Sequence, residues 1–169
     1  MSSNIKVWFI TGTPSNNASL RADVSETHTS WRVFLGTSSG FGLHLVKIVL
    51  ARGDKVIASA RSVDKIRHLE SPTCKILQLD VTDDCQTLDE RAKQALDMWG
   101  RVDVLVNNAG FGAPGIAEEA GASGFAKQFD ANFFGVVNVT NAFLPYLRSA
   151  KSGVIVMMGS RHAWKSQFP

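Results

Sequence analysis

Three glycines carry the first chemical signal. In Gly36-Thr37-Ser38-Ser39-Gly40-Phe41-Gly42 they are spaced as in a phosphate cradle. Glycine permits a tight turn and lets the backbone come close to a pyrophosphate, and a helix starting there adds N–H donors and partial positive charge. The apolar run Trp31-Arg32-Val33-Phe34-Leu35 precedes the cradle, and a helical pattern from Leu43 to Arg52 follows it. That strand–turn–helix setting distinguishes a cradle from an ordinary glycine-rich turn, which is the alternative. Other chemistry has less to stand on. His28, His44, His68 and His162 lack a metal-ligand spacing, so no metal is expected. Two cysteines, Cys74 and Cys85, make no disulfide framework and read as reduced thiols.

Composition sets the class. A chain of 169 residues suggests one domain, 1–169, with a sizeable core. The net charge of +3 is mild, and no basic cluster is interleaved with aromatics, so nucleic acid is not an expected partner. No apolar run approaches the roughly 20 residues that cross a bilayer. Met1 to Lys6 lacks the apolar core of a signal peptide, and a cytoplasmic location is the expectation.

The elements that must position the cradle alternate. Val7–Ile10 reads as a buried strand ending at Thr11-Gly12, and Lys55–Ala60, Lys75–Leu79, Val102–Val106 and Gly153–Met158 read as further strands. Helices are expected over 43–52, closed by Gly53, over 63–69, closed by Ser71-Pro72, and over 84–99, ended by Gly100. A further helical pattern runs from 117 to 149 with a break near Gly121 to Gly124. Strands alternating with helices predict an α/β fold, a doubly wound parallel sheet.

The ordered set Gly36 to Gly42, Asp80-Val81-Thr82, Asn107-Asn108-Ala109-Gly110 and Asn132 resembles the short-chain dehydrogenase/reductase family. The resemblance covers Lys6 to Gly12 and residues 36 to about 160. It is nearest to microbial short-chain oxidoreductases that read TGTSSGFG, ASARS, LDVTD, VNNAG and NFFG. It implies a Rossmann-like sheet of order 3-2-1-4-5 and hydride transfer between a nicotinamide dinucleotide and a small carbonyl or alcohol, in parents that can be homo-oligomers.

Site residues follow by position. Gly12, Gly36, Ser38, Ser39, Gly40, Phe41 and Gly42 form the cradle. Arg61 follows the second strand, where an acidic residue would hold the ribose hydroxyls of NAD; an arginine there pairs with the 2′-phosphate of NADP, with Ser38 and Ser62 as added donors. NADP is therefore expected in preference to NAD. The resemblance places Asp80 and Val81 at the adenine, and Asn107, Ala109 and Gly110 beside the cofactor at the end of the fourth strand. It gives Asn132 a proton-relay water to hold and makes Ser160 the catalytic serine.

Two departures stand out. The family's Tyr-x-x-x-Lys pair is absent: Tyr146 is the one tyrosine, and Ala150 occupies the lysine position. The expectation is a fold truncated after the fifth strand and catalytically incomplete, with 161–169 an unrelated tail. Secondly, joining Gly12 to Thr37 restores the uninterrupted motif, so 13–36 reads as an insertion, and either Val7–Ile10 or Val33–Leu35 is the first strand. A translated intron, a splice-site error or a genuine regulatory insertion would each produce it. Three readings stay open: an incomplete oxidoreductase, a nucleotide-binding module without catalysis, or a non-functional mis-spliced product.

Overall fold

The computed structural model describes residues 5–12, 41–112 and 117–160. The cradle from Gly36 to Gly40, the insertion at 13–36 and the tail at 161–169 lie outside the described residues.

A short, fully apolar run takes the centre of the sheet. Strand β1 (Val7–Ile10) pairs in parallel with β2 (Lys55–Ala60), from Val7 opposite Lys55 to Ile10 opposite Ala58. On its other side it pairs with β4 (Val104–Asn107), from Trp8 opposite Val104 to Ile10 opposite Val106. Strand β3 (Cys74–Gln78) lies beyond β2, and β5 (Val154–Met157) beyond β4. The order is β3-β2-β1-β4-β5, all parallel, as the resemblance implies. Of the two candidate first strands, Val7–Ile10 holds the central place, and Val33–Leu35 lies outside the described residues. Asp54 and Asp103 secure β1. Asp54 accepts from the Lys6 N–H and Trp8 Nε1, both at 3.1 Å, and Asp103 accepts from the Val7 N–H at 2.8 Å.

Because strand side chains alternate, each strand feeds two cores. Phe9, Ile57, Leu77 and Leu105 face helices α2 (Cys85–Trp99) and α4 (Gly135–Ala150), meeting Leu88, Ala92, Val139 and Phe143. The Phe9 and Phe143 rings pack with centroids 4.7 Å apart. Ile10, Val56, Ala58, Val104 and Val106 face α1 (Phe41–Ala51) through Val46 and Val49. Leu45 and Leu50 are partly buried against the same cluster.

Helix ends follow local chemistry. Asp84 caps α2 by accepting the Thr87 N–H at 2.8 Å, which holds its carboxyl below the ordinary 3.8, and Gly100 closes the helix with φ at 73°. The helix expected over 63–69 is instead two single 3₁₀ turns, Val63–Lys65 and Arg67–Leu69. The fully buried Ile66 separates them at φ −117°, because seating that side chain under β2 and β3 breaks the helical path. The expected break after residue 117 is a kink at Gly121 (φ 56°, ψ −179°) within α3 (Ala117–Phe129). A five-residue π turn, Asp130–Phe134, then joins α3 to α4. Such a turn is invisible to a 3.6-residue periodicity.

On the α1 face an apolar groove of about 270 Å³ runs between α1 and strands β4 and β5. Trp8, Phe41, Ile48 and Met158 are among the residues that line it.

Candidate functional site

In an open parallel sheet, ligands bind beyond the carboxyl ends of the strands, where the strand order reverses. Here that point lies between β1 and β4. The two strands run out together there, and one hydroxyl ties them. Thr11 is 1% exposed, and its Oγ1 donates to the Val106 carbonyl at 3.2 Å. The same oxygen accepts the N–H groups of Asn108 and Ala109, each at 3.0 Å. Asn108 returns its side-chain amide to the Thr11 carbonyl at 3.1 Å. Sequence reasoning missed Thr11; the available signal was a hydroxyl closing an otherwise apolar strand just before a glycine.

The close approach that follows requires glycine. Gly12 turns with φ at +70°, and a Cβ there would lie 2.7 Å from the Ala109 Cα. The backbone just past β1 thus passes directly against Ala109. α1 begins at Phe41, which is 76% exposed, while Gly42 is buried. The start of α1 lies at the same sheet edge, since Phe41 lines one groove with Asn108 and Met158.

Asn107 serves from beneath. It is 4% exposed, and its Nδ2 donates to Thr140 Oγ1 on α4 at 3.0 Å, so it braces sheet to helix. Thr140 was also missed; a polar residue on the buried stripe of α4 was its signal. Val81 packs against the start of α4, where a Cβ on Gly135 would lie 2.8 Å from Val81 Cγ2.

Asn132 sits on the π turn with both polar atoms engaged. Its Oδ1 accepts the Phe111 N–H at 2.9 Å, and its Nδ2 donates to the Phe111 carbonyl at 2.7 Å. Gly110 passes so close that a Cβ would lie 3.0 Å from that Oδ1. The side chain therefore pins the turn that follows β4. Ser160 follows β5, which stays joined to β4 through the Met158 N–H to the Asn107 carbonyl at 3.0 Å. Asn107 to Gly110, Asn132 and Ser160 thus share one edge of the sheet.

The polar end of this edge lies beyond β2 and β3. Arg61 Nε is 4.0 Å from Asp80 Oδ2, with side chains 69% and 32% exposed. Asp80 Oδ1 accepts the N–H and hydroxyl of Thr82 at 3.0 and 2.8 Å. Ser62 has extended backbone before the first 3₁₀ turn, and its hydroxyl makes no capping bond there. Among the described residues no group of three or more His, Cys, Asp or Glu is arranged to hold a metal. Likewise, no described helix is long and apolar enough to cross a membrane.

A sequence profile described as short chain dehydrogenase matches residues 31–168. The chain belongs to the short-chain dehydrogenase family. It is similar to "Oxidoreductase BOA17" of Botryotinia fuckeliana, 39% identical over 129 residues, covering 74% of this chain and 47% of that protein. Among solved structures, a short-chain dehydrogenase from Streptomyces avermitilis superposes with a TM-score of 0.76 at 32% identity, over 98% of this chain and 53% of the other. ElxO with NADP bound superposes at 0.68 and 25% identity, over 98% of this chain and 58% of the other. The chain thus spans about half the length of the curated relatives it matches. Membership makes it a relative of nicotinamide-dependent oxidoreductases. The residues at the switch point suit such a cofactor: a turn at Gly12 with no room for a Cβ, and a cation beyond β2.

Proposed function

We propose that the chain binds NADPH in preference to NADH and descends from oxidoreductases that transfer hydride between nicotinamide and a small carbonyl or alcohol. The observation that carries this is Arg61, a cation beyond β2 where NAD enzymes need a carboxylate. Gly12 and the start of α1 would receive the pyrophosphate; Asp80 and Val81 would border the adenine; Ala109 and Gly110 would floor the ribose and nicotinamide. Ser62 would add a hydroxyl donor to the 2′-phosphate, and the glycines of the Gly36 to Gly42 motif would let the backbone approach the diphosphate. The bound cofactor supplies the hydride, and the chain's own residues orient it.

Proton delivery is the weak part of this polypeptide. Residues 1–169 contain no Tyr-x-x-x-Lys, and neither Ser160 nor Asn132 is a competent acid near neutral pH. Asn132 also has both polar side-chain atoms committed to Phe111. General acid–base catalysis typically contributes about 10²–10⁴-fold. We therefore propose that a polypeptide of these residues binds the cofactor without measurable turnover, as a nucleotide-binding module. Its two free thiols fit a cytoplasmic setting.

Titration by nicotinamide fluorescence tests the reading. A charge-assisted pair to the 2′-phosphate is worth about 1.5–3 kcal/mol, so NADPH should bind roughly ten- to hundredfold more tightly than NADH. Arg61→Asp should reverse the preference. Equal affinity for the two cofactors refutes the assignment, and NADPH-dependent reduction across a carbonyl panel refutes binding without turnover.

A further inference from the structure

The turn after β3 does more than border an adenine. Asp80 begins a turn closed by the Asp83 N–H to the Asp80 carbonyl at 3.1 Å. Within it, Thr82 holds Asp80 Oδ1 twice, through its N–H and its hydroxyl. The carboxylate is thereby fixed, and its second oxygen, Oδ2, faces Arg61 Nε. At the other end of the arginine, Gln78 Nε2 on β3 donates to the Arg61 carbonyl at 3.2 Å. An arginine that is 69% exposed has many rotamers, and fixing them on binding an anion costs free energy. A contact through Nε restrains the side chain while leaving the terminal nitrogens, the pair that matches a phosphate edge, for a ligand.

We propose that Thr82 and Asp80 are positioning residues for cofactor choice: Thr82 holds Asp80, and Asp80 holds Arg61 ready for the 2′-phosphate of NADPH. This rests on the reading of Arg61 given above. The carboxylate also repels the phosphate, but across a solvated guanidinium that repulsion is screened. The restraint on Arg61 is the larger effect.

The test reads the ratio of NADPH to NADH affinity, by fluorescence titration of the full chain. Any contact of Asp80 with the adenine affects both cofactors equally and cancels in the ratio. Asp80→Asn should lower the ratio about three- to fivefold, the scale of an exposed ion pair. Thr82→Val, which keeps the charge but removes the hydroxyl, should lower it about twofold, and Thr82→Ser should restore it. In an Arg61→Ala background none of the three should change the ratio. Should Asp80→Asn not fold, the Thr82→Val and Thr82→Ser pair carries the same test. An unchanged or increased ratio in Asp80→Asn and Thr82→Val, with Arg61→Ala still abolishing the preference, overturns this inference and leaves the NADPH reading standing. No preference in the unmutated chain overturns both.

Discussion

Replacing Thr11 by valine is the sharpest probe of the switch point. The two side chains have nearly the same shape, so the change removes the hydroxyl and little else. The Val106 carbonyl keeps a partner, since it also accepts the Thr11 N–H at 3.1 Å. The N–H groups of Asn108 and Ala109 lose theirs. Each partly buried donor left unsatisfied costs about 1–2 kcal/mol, so Thr11→Val should destabilise by about 2–4 kcal/mol. Thr11→Ser keeps the hydroxyl and loses one methyl, a cost of about 1 kcal/mol. With a urea slope of about 2 kcal/mol/M, the valine variant should unfold about 1–2 M earlier than wild type, and the serine variant about 0.5 M earlier. Amide exchange at Asn108 and Ala109 should quicken in the valine variant alone. If valine and serine unfold at the same urea concentration, the hydroxyl does not hold the two strand ends and the account of this edge is wrong.

Other consequences are as direct. Gly12→Ala places a Cβ 2.7 Å from the Ala109 backbone at a φ of +70°, so it should cost about 1–3 kcal/mol and weaken NADPH binding more than Gly53→Ala, where nothing lies within 4 Å. Urea unfolding with cofactor titration checks this; equal affinities for the two variants contradict it. Burial, with the Glu70 charge adding to it, pushes the Cys74 thiol up to about 11, whereas Cys85 is exposed. One thiol should therefore react with a disulfide reagent in the native protein and two after unfolding. Because the folded thiol titrates above its ordinary 9.0, its contribution to stability is intact below that value and fades as pH rises toward 11, which denaturation midpoints across that window measure.

Much of the scaffold was legible in one dimension. Lys55–Ala60 is bounded as its apolar run suggests, Gly53 and Gly100 close helices with positive φ, and the helix expected from Asp84 starts at Cys85 with Asp84 as its cap. These signals are local: a run of apolar residues, a residue without a Cβ, a carboxylate three residues before an amide. The strand order came with the family motifs, whose ordered spacing stands for a whole topology. The positions of Arg61 and Asp80, one and two residues past the ends of β2 and β3, follow from the same strand boundaries.

The tertiary structure alone decided the rest, because those features depend on partners distant in sequence. Val7–Ile10 and Val33–Leu35 are alike as apolar runs, but aligning Gly12 with Gly36 puts Leu35 where Thr11 stands. Leucine has no hydroxyl to accept the two amides that follow β4, and those amides lie 97 and 98 residues from Thr11. Asn107 donates its amide to Thr140, 33 residues on, and so ties the sheet to α4. Asn132 lies 21 residues from Phe111 in sequence, and only the π turn sets its side-chain amide against the Phe111 backbone. Composition and periodicity determined which segments become strands and helices. Which hydroxyl, amide or carboxylate ends beside which backbone group was set only when the parallel strands came into register.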